Sequence, residues 1–363
     1  MAEIGIRVLI SEATFEDKFL MRTVQNFHLD HYGAVRYVPN KSIRELGVYY
    51  GQIEYDLRYQ TNDMGFIDHV NYLELTESDI ITNHVVFVGD SFLAGQGGNS
   101  PWVPRLRDRV RQHKNDTQIY NLGIEGAGIE HFRRLLVSVA EDISYDEIVI
   151  FAISNDFTRP FWRPLNTPGE IRLCPLGEAD NVCAKRSPMA TIINANATES
   201  EILQRAAELG AARLTATVQS KDRPSPEAPP NLLRNSRLFM LIYNLYQENP
   251  LIAAGEKTQR VSDALLYFAK NENFNALDRI RTSFPSTPIR LVHLPERHEV
   301  SSGHYDLDLK DHTRRLEIEY FPALTQCDWS VDMFHPNDPH PNPHGYANVS
   351  TCVENYLFPA ESG

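Results

Sequence analysis

The chain has 363 residues, 42% hydrophobic and 23% charged, with a formal net charge of −13. This is an ordinary globular composition, long enough for one large domain with insertions or for two smaller ones. The acidity argues against a nucleic-acid partner, which needs clustered Lys and Arg, and against polyanionic ligands.

Residues 1–33 are expected to be helical, with Phe15, Phe19, Leu20 and Val24 at helical spacing. The apolar start Ile4–Ile10 lacks the layout of a signal peptide. Two readings of it stay open: the remnant of a membrane anchor missing from the N-terminus, and an ordinary amphipathic first helix. In residues 34–83 Tyr and Val alternate with polar residues between Pro, Asn and Gly breaks, which predicts short strands and turns. Residues 1–83 are thus an N-terminal extension packing on a core that occupies 84–363.

From His84 the rhythm is strand, helix, strand, helix. Val85–Val88 is a β-branched and aromatic run leading into Gly89-Asp90-Ser91, followed by Ala94, Gly95, Gly97 and Gly98. Helices are predicted over 101–111 and 126–140, and strands over 118–121, 146–153 and 288–294. Alternation of this kind predicts an α/β/α sandwich with a mostly parallel sheet. Residues 157–257 interrupt the rhythm as an insertion, with a helical piece over 199–214 and a polar, Pro-rich loop, SKDRPSPEAPPN. Helix is expected again over 237–246, 261–280 and 307–319, and a last helix over 347–357.

Four cysteines, Cys174, Cys183, Cys327 and Cys352, permit two disulfides. Cys174 and Cys183 flank a Pro/Gly/Asp/Asn-rich segment and look like the ends of a stapled loop. Two bridges would imply a bacterial periplasm or the cell exterior; four free buried thiols are the other reading. No C-x-x-C pair supports a zinc or thioredoxin-like site.

A Ser at the C-terminal end of a buried strand sits where open α/β sheets place their ligands. As a nucleophile it needs a His base held by a carboxylate, and donors for the oxyanion. Asp338-Pro339-His340 supplies base and carboxylate on a proline-stiffened loop. Gly126 in NLGIEG and Asn155 in Ser154-Asn155-Asp156 follow the next two strands and supply candidate donors. A second frame, Asp332-Met-Phe-His335, offers alternates for the His and the acid. Metal binding by His335, His340 and His344 with Asp332 and Asp338 is the competing reading of this loop, but the spacing fits no common metal motif.

These blocks resemble the SGNH (GDSL-like) hydrolase family, specifically its bacterial members with an N-terminal extension. Gly89-Asp90-Ser91 with Gly95, Gly126 in NLGIEG, Ser154-Asn155-Asp156, and Asp338-Pro-His340-Pro-Asn342 with Gly345-Tyr346 follow the family order. The resemblance implies a flavodoxin-like fold, with Ser91 as nucleophile, Ser91 N–H, Gly126 and Asn155 as oxyanion hole, His340 as base and Asp338 as its orienter, and no cofactor or metal. It implies an acyl-ester substrate, small or on a glycan such as an O-acetylated carbohydrate. Water as acceptor makes an esterase and a sugar hydroxyl an O-acyltransferase; a non-catalytic binding protein on the same fold is the rival class. This chain departs from the family at two places. Ile153 stands where the third block usually has Gly, and Asp338 lies two residues before His340 instead of three.

Overall fold

The computed structural model describes residues 18–23, 27–76, 80–159, 162–167, 170–175, 190–221 and 254–359. In the N-terminal region, β1 (Lys18–Arg22), β4 (Ser42–Tyr49) and β5 (Gln52–Gln60) form an antiparallel sheet, and β2 (Phe27–Leu29) and β3 (Val35–Tyr37) form a hairpin beside it. The expected helix over 1–33 is therefore corrected to strand from Lys18 onward; residues 1–17 lie outside the described residues. Phe19 and Met21 are buried on one face of β1, packed against Leu46 and Val48, while Leu20 between them is only half-buried. That is a period of two over too few residues to outweigh a helical pattern, and β1 is held as a strand by partners on both sides.

After a short helix α1 (Tyr72–Thr76), the core begins with β6 (Asn83–Gly89), α2 (Ser91–Ala94), α3 (Trp102–Val110), β7 (Thr117–Gly123), α4 (Ile129–Val139) and β8 (Glu147–Ala152). Residues 162–221 contribute β9 (Trp162–Thr167) antiparallel to β10 (Glu170–Pro175), the two-residue β11 (Thr191–Ile192) and α5 (Glu199–Lys221). Strand β11 runs parallel to β1 and extends the N-terminal sheet. Helix α5 runs on through Ser220 and Lys221, the first two residues of the expected Pro-rich loop; the rest of that loop, the Cys174–Cys183 pairing and the expected helix over 237–246 lie outside the described residues.

The chain returns through α6 (Ala254–Ser283), β12 (Ile289–His293), α7 (Arg297–Ser302), α8 (Lys310–Arg315), β13 (Glu319–Pro322), α9 (Ala323–Gln326) and α10 (Pro343–Leu357). Helix expected over 307–319 is corrected to the short α8 and then β13. Glu317 adopts a positive φ of 55°, which ends the helix, and the next residues pair with β12 at the sheet edge. Cys327 and Cys352 form a disulfide that ties the end of α9 to α10.

The central sheet is all parallel, with strand order β13-β12-β8-β6-β7. Alternation along β6 divides the core between its two faces. Val86 and Val88 pack with α4 and α6 (Phe132, Leu136, Leu277, Ile280), and Val85 and Phe87 with α3 and α10 (Trp102, Leu106, Val349, Val353). This is a three-layer α/β/α sandwich of flavodoxin-like order. The strand order switches sides between β6 and β8, so their C-terminal ends open the crevice where such folds take ligands. Among the described residues no helix is long and apolar enough to cross a membrane.

Candidate active site

Ser91 stands at the C-terminal end of β6 as the first residue of α2. Asp90 caps the helix, its Oδ1 accepting from Phe92 N–H at 2.9 Å. The turn requires glycine at 89, because a Cβ there would lie 2.8 Å from both Leu93 Cβ and the Phe151 carbonyl oxygen.

Ser91 Oγ lies 2.8 Å from His340 Nε2. His340 Nδ1 is hydrogen-bonded to Asp338 Oδ1, which also accepts from the His340 backbone N–H at 2.9 Å. The two-residue spacing thus lets one carboxylate oxygen curl over Pro339 and hold both ring and backbone of the same histidine. With Nδ1–H committed to a carboxylate, Nε2 is left as the acceptor for the serine hydroxyl. All three residues are buried.

The loop carrying them is closed on itself: His335 N–H donates to the His340 carbonyl at 3.1 Å and Asn342 N–H to that of Met333 at 2.9 Å. Asn342 caps α10 through Oδ1, which accepts from His344 N–H at 3.0 Å and Gly345 N–H at 3.1 Å. In the second frame, His335 Nε2 donates to the Gly97 carbonyl at 2.7 Å, and Asp332 is exposed. Neither His335 nor Asp332 is within reach of Ser91 through these bonds. His344 is exposed on the first turn of α10, and among the described residues the His and Asp side chains that the metal reading would gather form no metal-type cluster. Among the described residues, the metal-type side chains that do converge are Glu296, His298 and Glu299. Glu299 there already accepts from Ser154 Oγ and from the backbone N–H groups of Glu296 and Asp306.

Gly126 and Asn155 follow β7 and β8 and line the same cavity as Ser91 and His340, about 380 Å³ in volume. Gly126 has φ 66°, a left-handed turn that a side chain would strain. Asn155 is exposed to the cavity. Its Oδ1 accepts from Thr158 Oγ1 at 3.1 Å, which leaves Nδ2 as its donor. Ile153, in place of the usual glycine, is buried and forms part of the cavity wall beside Phe92. Phe19 and Leu20 of β1 and Thr191 of β11 supply the facing wall, so the N-terminal sheet is part of the site.

Several residues packed around the candidate site lie outside the motifs. Arg159 donates to Asp90 Oδ2 at 2.9 Å and to the Ala127 carbonyl at 2.7 Å, and pairs with Asp156 at 3.3 Å. One guanidinium therefore ties the three loops that carry Ser91, Gly126 and Asn155. Burial opposes its charge, but Asp156 and Asp90 outweigh that and raise its pKa. Burial and the charge of Asp90 push the Asp156 carboxyl well up. Glu296, at the cavity wall, is pushed up to about 7 by burial and by Glu299. Beneath the Gly126 turn, Glu125 is buried and accepts from Arg22 of β1 and, at 3.1 Å, from Tyr37 Oη. No motif marks any of these residues, and Arg22 falls in the segment whose apolar spacing predicts a helix.

A family model for GDSL-like lipases and acylhydrolases matches residues 85–353, from the strand before Ser91 to the last helix. The chain belongs to the GDSL-like lipase/acylhydrolase family. The family match begins at β6 and leaves the N-terminal sheet outside it. Among curated proteins no sequence matches. The psychrotrophic esterase EstA from Pseudoalteromonas sp. is a similar solved structure, 10% identical with a TM-score of 0.36, over 76% of this chain and 96% of that one. A GDSL-like lipase from Bacteroides thetaiotaomicron is 11% identical with a TM-score of 0.32, over 76% of this chain and 87% of that one. A two-domain esterase active on acetylated mannans is 12% identical with a TM-score of 0.32, over 76% of this chain and 48% of that one.

Proposed function

We propose that this GDSL-family protein is a serine esterase acting through a Ser91 acyl-enzyme. The hydrogen-bonded path from Ser91 through His340 to Asp338, opening onto a cavity that Gly126 and Asn155 also line, carries this reading. His340 Nε2 takes the serine proton as Oγ attacks the ester carbonyl, and Asp338 stabilises the imidazolium that forms. The N–H groups of Ser91 and Gly126 and the Asn155 amide receive the oxyanion. His340 then gives its proton to the leaving alcohol, and water repeats the sequence in reverse to free the acid. The family resemblance makes an acetylated carbohydrate the first substrate to try.

In the same reading, residues 1–83 are an extension and 84–363 the catalytic domain, with the insertion at about 157–257. The Cys327–Cys352 disulfide supports a periplasmic or extracellular, bacterial location.

Turnover of p-nitrophenyl acetate by wild type and by Ser91→Ala tests the reading. The variant should fall to the uncatalysed rate; equal rates for the two would overturn it. Acceptor sugars added to the same assay should leave product as free acid, whereas acylated sugar would make the protein a transferase. Asn155→Ala should lower kcat by roughly 10²–10³ with little change in KM, as loss of one oxyanion donor does elsewhere. An unchanged kcat would remove Asn155 from the oxyanion hole.

A further inference from the structure

The N-terminal sheet does more than wall the cavity. Tyr49, the last residue of β4, is 4% exposed and donates its hydroxyl to Asp338 Oδ2. Asp338 therefore meets the sheet through one oxygen and His340 through the other. A tight turn fixes where Tyr49 ends: it pairs with Gln52, and between them Tyr50 and Gly51 have φ values of 48° and 75°, as a two-residue type I′ hairpin requires. The same hairpin grips the histidine loop elsewhere. Glu54 Oε1 accepts from Asn337 N–H at 2.8 Å, and the Tyr55 ring lies 5.5 Å from that of His335.

We propose that Tyr49 is a positioning residue of the Ser91–His340–Asp338 relay, contributed by the N-terminal sheet. The inference rests on the esterase reading above. A hydroxyl donated to a buried carboxylate fixes its rotation, so that Oδ1 stays aimed at His340 Nδ1. It also places the positive end of its dipole against the carboxylate and so tempers the negative field felt by the imidazole. Among the described residues, the other titratable or charged groups on the elements around Asp338 include Tyr346, Tyr55, His335, Glu54, His298 and Arg297, the last donating to the Pro336 carbonyl. Burial holds both tyrosines well above the ordinary phenol range, so they stay neutral through the working pH.

Tyr49→Phe removes only the hydroxyl. Its kcat should fall about tenfold while KM stays within about twofold, because a charge-assisted hydrogen bond to the relay is lost and no substrate contact is. The acidic limb of its kcat/KM profile should move to higher pH, since the base then faces an untempered carboxylate. Ile43→Val, a small cavity in the same strand, serves as the control for loss of stability: it should lower the melting temperature without moving the limb. Wild-type kcat and an unmoved limb in Tyr49→Phe would overturn the proposal, as would a loss that merely follows melting temperature as in the control. Ser91→Ala is run alongside. If it matches wild type, the esterase reading fails and takes the relay with it; if it is dead while Tyr49→Phe is unchanged, the role of Tyr49 alone is refuted.

Discussion

Replacing His340 with alanine should lower ester turnover by about 10⁴-fold or more, while His335→Ala should keep the chemical step. The two histidines lie on one closed loop and both are buried, so burial does not separate them. Their hydrogen bonds do. His340 offers Nε2 to Ser91 Oγ, whereas His335 spends Nε2 as a donor to the Gly97 carbonyl and cannot accept a proton there. The acids follow the same logic: Asp338→Asn should cost about 10⁴-fold by favouring the wrong imidazole tautomer, and exposed Asp332→Asn should cost nothing measurable. Measured kcat/KM with p-nitrophenyl acetate decides. Equal losses in the two histidine variants, or activity retained by His340→Ala, would remove the proposed base.

The parts of this site legible in the sequence are those whose signal is local. Val85–Val88 announces a buried strand because four consecutive apolar residues fill both faces of a parallel sheet, and the turn after it needs Gly89 for steric reasons. The Asp338–His340 pairing is local too, since the carboxylate reaches its histidine two residues away. What the sequence did not show is what joins these pieces. Arg159 meets Asp90 across 69 residues, Arg22 meets Glu125 across 103, and Tyr49 meets Asp338 across 289. No periodicity encodes such pairs. The misread helix in residues 1–33 has the same root: β1 has two alternating buried residues, and its strand state comes from β4 and β11, which are distant in sequence.

Arg22→Met should destabilise the protein by about 3–5 kcal/mol, the cost of breaking a buried ion pair by deleting one partner. Arg22 is 2% exposed and lies between two buried carboxylates, 2.6 Å from Glu45 and in direct contact with Glu125. Burial opposes its charge, but Glu45, with Tyr59 and Tyr37 beside it, more than offsets that and raises its pKa, so it stays a cation at any working pH. Methionine fills much of the volume and removes the charge, which strands Glu45 and Glu125 beside each other. Acidification protonates stranded carboxylates and relieves their repulsion, so the deficit against wild type should be larger at neutral pH than in mild acid. Urea unfolding at both values checks the size and the sign. A deficit under about 1 kcal/mol, or one that grows on acidification, would refute this account of the cluster. Activity gives an independent reading, because Glu125 immediately precedes Gly126. With one of the two donors that hold Glu125 gone, the turn carrying Gly126, the proposed oxyanion donor, loosens, and kcat should fall more than KM rises in whatever fraction stays folded. Arg22→Lys, which keeps the charge and loses the forked geometry, should fall between wild type and Arg22→Met in both measurements.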